Sequence, residues 1–115
     1  MSNMTVFEKI ATGEIPAKII HEGGDFIAFH DLNAQAPIHV LIVPRKCIPR
    51  LADADAAHAD LLGRMLLATR AIAVKLGVLE SGYRVVINNG RDAGESVPHL
   101  HLHLLAGRAL AWPPG

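Results

Sequence analysis

The sequence predicts an α+β fold: a mostly antiparallel sheet of about five strands with one long and one short helix. Three observations carry this. Five short β-branched or alternating apolar runs are separated by Gly, Pro and Asn turn signals, one stretch alone sustains a helical period, and no strand–helix–strand alternation calls for a parallel sheet. The 115 residues contain no repeat, low-complexity tract or linker, so residues 1–115 are expected to form a single domain.

The elements follow in chain order. Thr5 and Glu8 have capping-box spacing, and Val6, Phe7 and Ile10 supply an amphipathic turn, which predicts a brief helix near residues 6–12. Ala17–Glu22 and Asp25–His30 flank Gly23-Gly24 as the arms of a β-hairpin. Ile38–Val43, nearly all apolar and bounded by Pro37 and Pro44, reads as a central strand. From about Asp53 to Leu76, residues Leu62, Met65, Leu66, Thr69, Ile72, Ala73 and Leu76 mark one helical face. Asp53 or Asp55 is available as N-cap, and Gly77 closes the helix. Tyr83–Asn88 is a fourth strand, Asn89 to Gly94 a polar loop, and Val97–Leu105 the last strand.

Charge and composition narrow the function. Eleven Lys and Arg balance eleven Asp and Glu at a pI near 7.1, so no net field draws the chain to nucleic acid or an anionic membrane. The lone Cys47 forms no internal bridge and suits a reducing compartment. The N-terminal Met-Ser-Asn-Met-Thr lacks signal-peptide character, and no apolar run reaches the length of a membrane span. A cytoplasmic location is expected.

Seven histidines against five Phe, Tyr and Trp combined make histidine the residue to follow. In Pro98-His99-Leu100-His101-Leu102-His103-Leu104-Leu105 the alternation puts His99, His101 and His103 on one face of a strand. Leu100, Leu102 and Leu104 lie on the other face, which is expected to pack under the long helix while the imidazoles open toward a cleft. Three imidazoles in register point to chemistry, and two kinds compete. Metal binding could add His39 as a ligand, but strand residues two and four apart lie about 6.7 and 13 Å apart, whereas zinc ligands sit about 2 Å from the ion. Attack on phosphorus uses a neutral imidazole as nucleophile, with neighbouring histidines binding phosphate oxygens and protonating the leaving group. The second chemistry is favoured, and neither metal nor cofactor is expected. Gly94-Glu95-Ser96 adds a turn with a hydroxyl suited to an anion.

The run His99 to Leu105 resembles the His-x-His-x-His-x-x signature of the histidine-triad superfamily of nucleotide hydrolases and transferases. Phe7-Glu8-Lys9-Ile10, Ile15-Pro16-Ala17-Lys18, Ala28-Phe29-His30-Asp31, Ala36-Pro37-Ile38-His39, Val43-Pro44-Arg45-Lys46, Asn88-Asn89-Gly90 and Trp112-Pro113-Pro114-Gly115 extend the likeness over essentially the whole chain. The Trp-Pro-Pro-Gly ending is similar to the Hint branch, the purine nucleoside phosphoramidases, rather than to diadenosine-polyphosphate hydrolases.

The resemblance implies a homodimer with a histidine-triad fold that hydrolyses the P–N bond of purine nucleoside 5′-phosphoramidates. It implies that His101 attacks the α-phosphorus, that His103 and Asn88 contact the phosphate, and that Ser96 binds the phosphate or leaving amine beside the Gly94 turn. His99 and His39 would orient the site and relay protons. Asp31 would hold the ribose hydroxyls, Phe7, Ile10, Phe29 and Leu32 would form an apolar slot for the base, and Trp112 would reach the partner subunit. The alternative is an AMP-binding sensor or interaction module whose turnover is incidental. His30 is expected to be structural, and His21 and His58 to be surface residues. Two positions depart from the pattern. Cys47 replaces a histidine common in the branch and is expected to be buried and inert, while Glu95 replaces a frequent Gln and is expected to point away from a phosphate.

Overall fold

The computed structural model describes residues 4–115; Met1 to Asn3, on which the reading of the N-terminus partly rests, lie outside the described residues. The elements are α1 (Val6–Ala11), β1 (Ile19–Glu22), β2 (Phe26–His30), β3 (Ile38–Pro44), α2 (Ala59–Lys75), β4 (Tyr83–Val86) and β5 (Leu102–Ala106). The five strands form one antiparallel sheet in the order β1-β2-β3-β5-β4, as the α+β reading requires. No helix among the described residues is long and apolar enough to cross a membrane.

Alternation on the strands divides the core in two. Ala28, Val40, Ile42, Leu102, Leu104 and Ala106 face α2, where Met65, Ala68, Ile72 and Ala73 close over them. Ile27, Phe29, Leu41 and Val43 face the other way and pack with Phe7 of α1. The register sets His103 opposite Leu41 and His39 opposite Leu105, so both histidines belong to the α1 side of the sheet. Leu102 and Leu104 therefore lie under the long helix, as expected, while Leu100 precedes β5 and is buried outside that cluster.

Three elements differ from their expected bounds. α2 begins at Ala59 rather than Asp53, because Ala54 and Asp55 are extended (ψ 159° and −172°) and the segment before α2 is two 3₁₀ turns, Leu51–Asp53 and Ala56–His58. Asp55 is a cap, but of the second 3₁₀ turn, where its carboxylate accepts from Ala57 N–H at 2.9 Å. On α2 the buried stripe takes in Ala68 and leaves Leu66 about half exposed. β4 stops at Val86, short of Asn88, and β5 starts at Leu102 rather than Val97. Upstream of Leu102, Pro98 has no N–H to give, His99 N–H bonds Val97 O, and Leu100 N–H goes to Ile48 O at 2.6 Å. His99 and His101 consequently precede the ladder instead of sitting in it. The Thr5–Glu8 capping box forms in full, and Gly77 adopts the left-handed φ of +74° expected just beyond a helix end.

Candidate active site

His101 lies beside His103, with ring centroids 4.8 Å apart, and His103 beside His39 at 5.2 Å. His39, His99 and His101 are buried and His103 is half-buried, so the imidazole face is not the open surface that alternation suggests. Phe7 roofs part of it, its ring centroid 4.9 Å from that of His101 and 5.6 Å from that of His99.

Hydrogen-bond partners fix where the protons are. His101 Nδ1 is 2.7 Å from the carbonyl oxygen of His99. A carbonyl only accepts, so Nδ1 carries the hydrogen and Nε2 of the neutral ring presents a bare lone pair. The second chain starts at a backbone donor. Gln35 N–H donates to His39 Nδ1 at 3.0 Å, so in the neutral ring His39 Nε2 carries the hydrogen. His39 Nε2 donates that hydrogen to His103 Nδ1 at 2.9 Å, and Asp31 Oδ2 lies 3.5 Å from His39 Nε2. His103 Nε2 must then be protonated, and it is buried without a hydrogen-bond partner. An unpartnered buried N–H costs about 1–3 kcal/mol; here it is a donor waiting for an acceptor.

Burial keeps His39, His99 and His103 neutral. It pushes the pKa of His39 and His99 below the ordinary histidine value, and that of His103 down to about 4, with the nearby His101 and His39 lowering it further.

Beyond the imidazoles, Asp31 and Leu32 line a cavity of about 340 Å³ together with Lys18, His30 and His39. Asp31 ends β2 in an Asx turn, its Oδ1 accepting from Asn33 N–H at 2.9 Å, which leaves lone pairs on both oxygens for further donors. Leu32 is a rim residue, 92% exposed. Of the residues expected to form the apolar slot, Phe7 and Phe29 are buried, 5.8 Å apart, and the half-buried Ile10 packs on the same cluster. Lys18 and His30 line the cavity beside Asp31, and His30 is half-buried there.

Asn88 and Trp112 line another cavity, of about 510 Å³, at the β4 edge. Val86 and His103 form the last pair of the β4–β5 ladder, and Asn88 follows two residues beyond it. Trp112 is largely exposed. Gly94 takes φ +81° to close the 3₁₀ turn Arg91–Ala93, and Ser96 follows it on the surface. Glu95 does turn aside: its carboxylate takes Arg50 bidentately at 3.0 and 3.1 Å and Gly90 N–H at 2.9 Å, and Arg50 above all holds its pKa low. Cys47 is half-buried, its thiol donating to Pro98 O at 3.3 Å and its pKa raised by burial. His21 and His58 have structural roles: His21 stacks on Phe26 at 5.4 Å, and His58 Nδ1 accepts from Asp55 N–H at 3.1 Å.

Among the described residues, two groups bring metal-type donors within 4.8 Å of one another: Asp31, His39 and His103, and Glu8, Cys47 and His99. His39 and His103 already spend their facing nitrogens on each other. His99 has both nitrogens engaged, with Thr5 and Pro44. Gln35 went unrecognised in the sequence because it acts through its backbone N–H, which no side-chain pattern marks. Arg50 had a signal, the carboxylate of Glu95, but no spacing that paired them.

The sequence matches the HIT domain over residues 12–110. The chain belongs to the HIT family. A HIT-like protein of Synechococcus elongatus is 51% identical across all 115 residues, covering both chains completely. A HIT family hydrolase of Legionella pneumophila superposes with a TM-score of 0.95 at 43% identity, over 97% of this chain and all of that one. A histidine triad nucleotide-binding protein of Candida albicans gives 0.82 at 31% identity, over 96% of this chain and 83% of its own. In this HIT protein the family motif thus supplies one imidazole with a bare nitrogen and a second with a buried, unpartnered N–H.

Proposed function

We propose that the protein is a purine nucleoside phosphoramidase, hydrolysing AMP–amine conjugates through a nucleotidyl-histidine intermediate. The observation that carries this reading is the proton placement across the imidazoles, which ends in the unpartnered His103 Nε2–H. The bare Nε2 of His101 attacks the α-phosphorus, forming a P–N bond to the ring as the bond to the leaving amine breaks. An amine departs readily only when protonated, and solvent supplies that proton, because the neutral His103 ring could release Nε2–H only by becoming an imidazolate; His103 Nε2–H instead donates to the phosphoryl oxygens as charge develops on them. Water then attacks phosphorus, AMP leaves, and His101 recovers its lone pair. Asp31 accepts the ribose hydroxyls in the cavity beside His39, and Asn88 meets the phosphate from the β4 side. The nucleotide-binding name of the Candida relative agrees with this ligand class.

The homodimer belongs to the same proposal. β4 is an edge strand with one side unpaired, and α2 exposes Leu66, Leu67 and Val74. Light scattering of the purified protein should give twice the chain mass; a monomer at micromolar concentration would reject this part.

The decisive experiment offers an adenosine 5′-phosphoramidate with a slow leaving amine and looks by mass spectrometry for AMP on His101. Adduct on that residue, absent from His101→Asn, is the expected result. Turnover without adduct on His101, or equal turnover by the variant, overturns the mechanism. Tight AMP binding with no turnover leaves the sensor function in its place.

A further inference from the structure

The carbonyl that orients His101 belongs to a residue held from the far end of the chain. His99 is fully buried, with Nε2 2.7 Å from the Pro44 carbonyl oxygen, so that nitrogen carries the hydrogen. In the neutral ring Nδ1 is then an acceptor. The hydroxyl facing it at 2.6 Å, Thr5 Oγ1, therefore donates. Thr5 has one hydroxyl proton, and it is spent on His99. Its oxygen also accepts Glu8 N–H at 3.1 Å while Glu8 Oε1 takes Thr5 N–H at 3.0 Å. One side chain is both the N-cap of α1 and the anchor of a residue 94 positions away.

We propose that Thr5 is a positioning residue for the nucleophile: with the His99 tautomer set by the Pro44 carbonyl, the Thr5 hydroxyl holds the His99 ring in place so that the His99 carbonyl holds Nδ1–H of His101 and leaves His101 Nε2 bare. The assignment rests on His101 being the nucleophile. His99 needs such an anchor because it precedes β5 and has no ladder bonds of its own; its N–H turns back to Val97. Without the Thr5 proton, Nδ1 would be a buried acceptor with no partner. Moving the hydrogen to Nδ1 would point a lone pair of Nε2 at the Pro44 oxygen, and protonating both nitrogens would place a charge in a site whose burial opposes it.

Four variants separate the two roles of the hydroxyl. Thr5→Ser keeps both. Thr5→Asp keeps a strong N-cap but has no proton to donate at neutral pH, and Thr5→Val removes both. Glu8→Ala weakens the capping box without touching the bond to His99. Two readouts are taken: ¹⁵N NMR of the His99 and His101 ring nitrogens, which needs no turnover, and single-turnover nucleotidylation with its KM. Thr5→Ser and Glu8→Ala should keep the wild-type ring spectra and a rate within about threefold. Thr5→Asp and Thr5→Val should shift the His99 Nδ1 resonance away from its wild-type position and slow nucleotidylation at least tenfold with KM within twofold. Wild-type ring spectra in both Thr5→Asp and Thr5→Val overturn the proposal, as does a Glu8→Ala rate as low as that of Thr5→Val, since the effect would then be helix stability. If the wild type forms no nucleotidyl adduct, the phosphoramidase reading fails instead, and the ring spectra still decide whether Thr5 fixes His99.

Discussion

The two faces of the sheet are built from the same strands and obey different physics. Toward α2, Leu102 and Leu104 join Val40, Ile42, Met65 and Ile72 in a cluster held by burial alone. Toward α1, His99, His101 and His39 are buried and His103 half-buried, and six of their eight ring nitrogens have one defined partner. Dry packing tolerates no void but is indifferent to direction. A buried chain of imidazoles is directional, since one backbone donor at Gln35 decides which nitrogen of His103 carries hydrogen two rings away. Alternation in one strand lets a small domain hold both without either intruding on the other.

The largest expected effect breaks only the imidazole face. His101→Asn should lower turnover of an AMP–amine conjugate at least about 10³-fold while moving the thermal midpoint little, because the ring is bonded to a backbone carbonyl and not packed in the leucine cluster. Steady-state assay and calorimetry on the same sample check both halves. A large loss of stability with proportionate loss of activity would contradict the division.

Leu104→Ala makes the opposite cut. Leu104 is fully buried under α2, so truncation should destabilise by about 2–5 kcal/mol and leave kcat of the folded protein within about twofold. Denaturant unfolding and an assay well below the midpoint measure the two quantities.

That division was legible in the sequence where it depends on local order. Strict alternation around His101 and His103 put leucines and imidazoles on opposite faces, and Thr5-x-x-Glu8 and Gly77 marked helix ends that form as read. What was not legible depends on contacts distant along the chain. Nothing in the run from Val97 to His101 shows that Leu100 N–H will leave the ladder for Ile48, so the strand was drawn too long. Nothing near Phe7 or Phe29 shows whether an aromatic ring lines a pocket or fills the core beneath it. The start of α2 failed for a local reason: Asp55 bonds its own backbone neighbourhood better than it continues a helix.

Acid should distinguish the faces by linkage. His39, His99 and His103 have folded pKa values below the ordinary value of about 6.5, reaching about 4 for His103, so between those values the unfolded chain binds protons that the folded chain refuses. Their contribution is whole above pH 6.5 and is lost progressively as pH falls toward 4. The thermal midpoint should therefore drop from pH 6.5 to 5, before most carboxylates titrate, and His103→Asn should flatten that slope. Leu104→Ala should shift the curve down without changing its shape. A wild-type midpoint constant over that interval would mean the rings are not held neutral.

The smallest effect tests how far the imidazole face extends toward the loop. Glu95 ties the Gly90 turn to Arg50, and its carboxylate is spent on those partners rather than aimed at a phosphate. Glu95→Gln keeps an acceptor for Gly90 N–H and removes the charge opposite Arg50. Turnover of an AMP–amine conjugate should stay within about threefold, with a small drop in thermal midpoint that shrinks in high salt as the ion pair of the wild type is screened. A rise in kcat/KM beyond tenfold would instead show that the carboxylate repels the nucleotide phosphate, and would make Glu95 part of the imidazole face rather than its fastening.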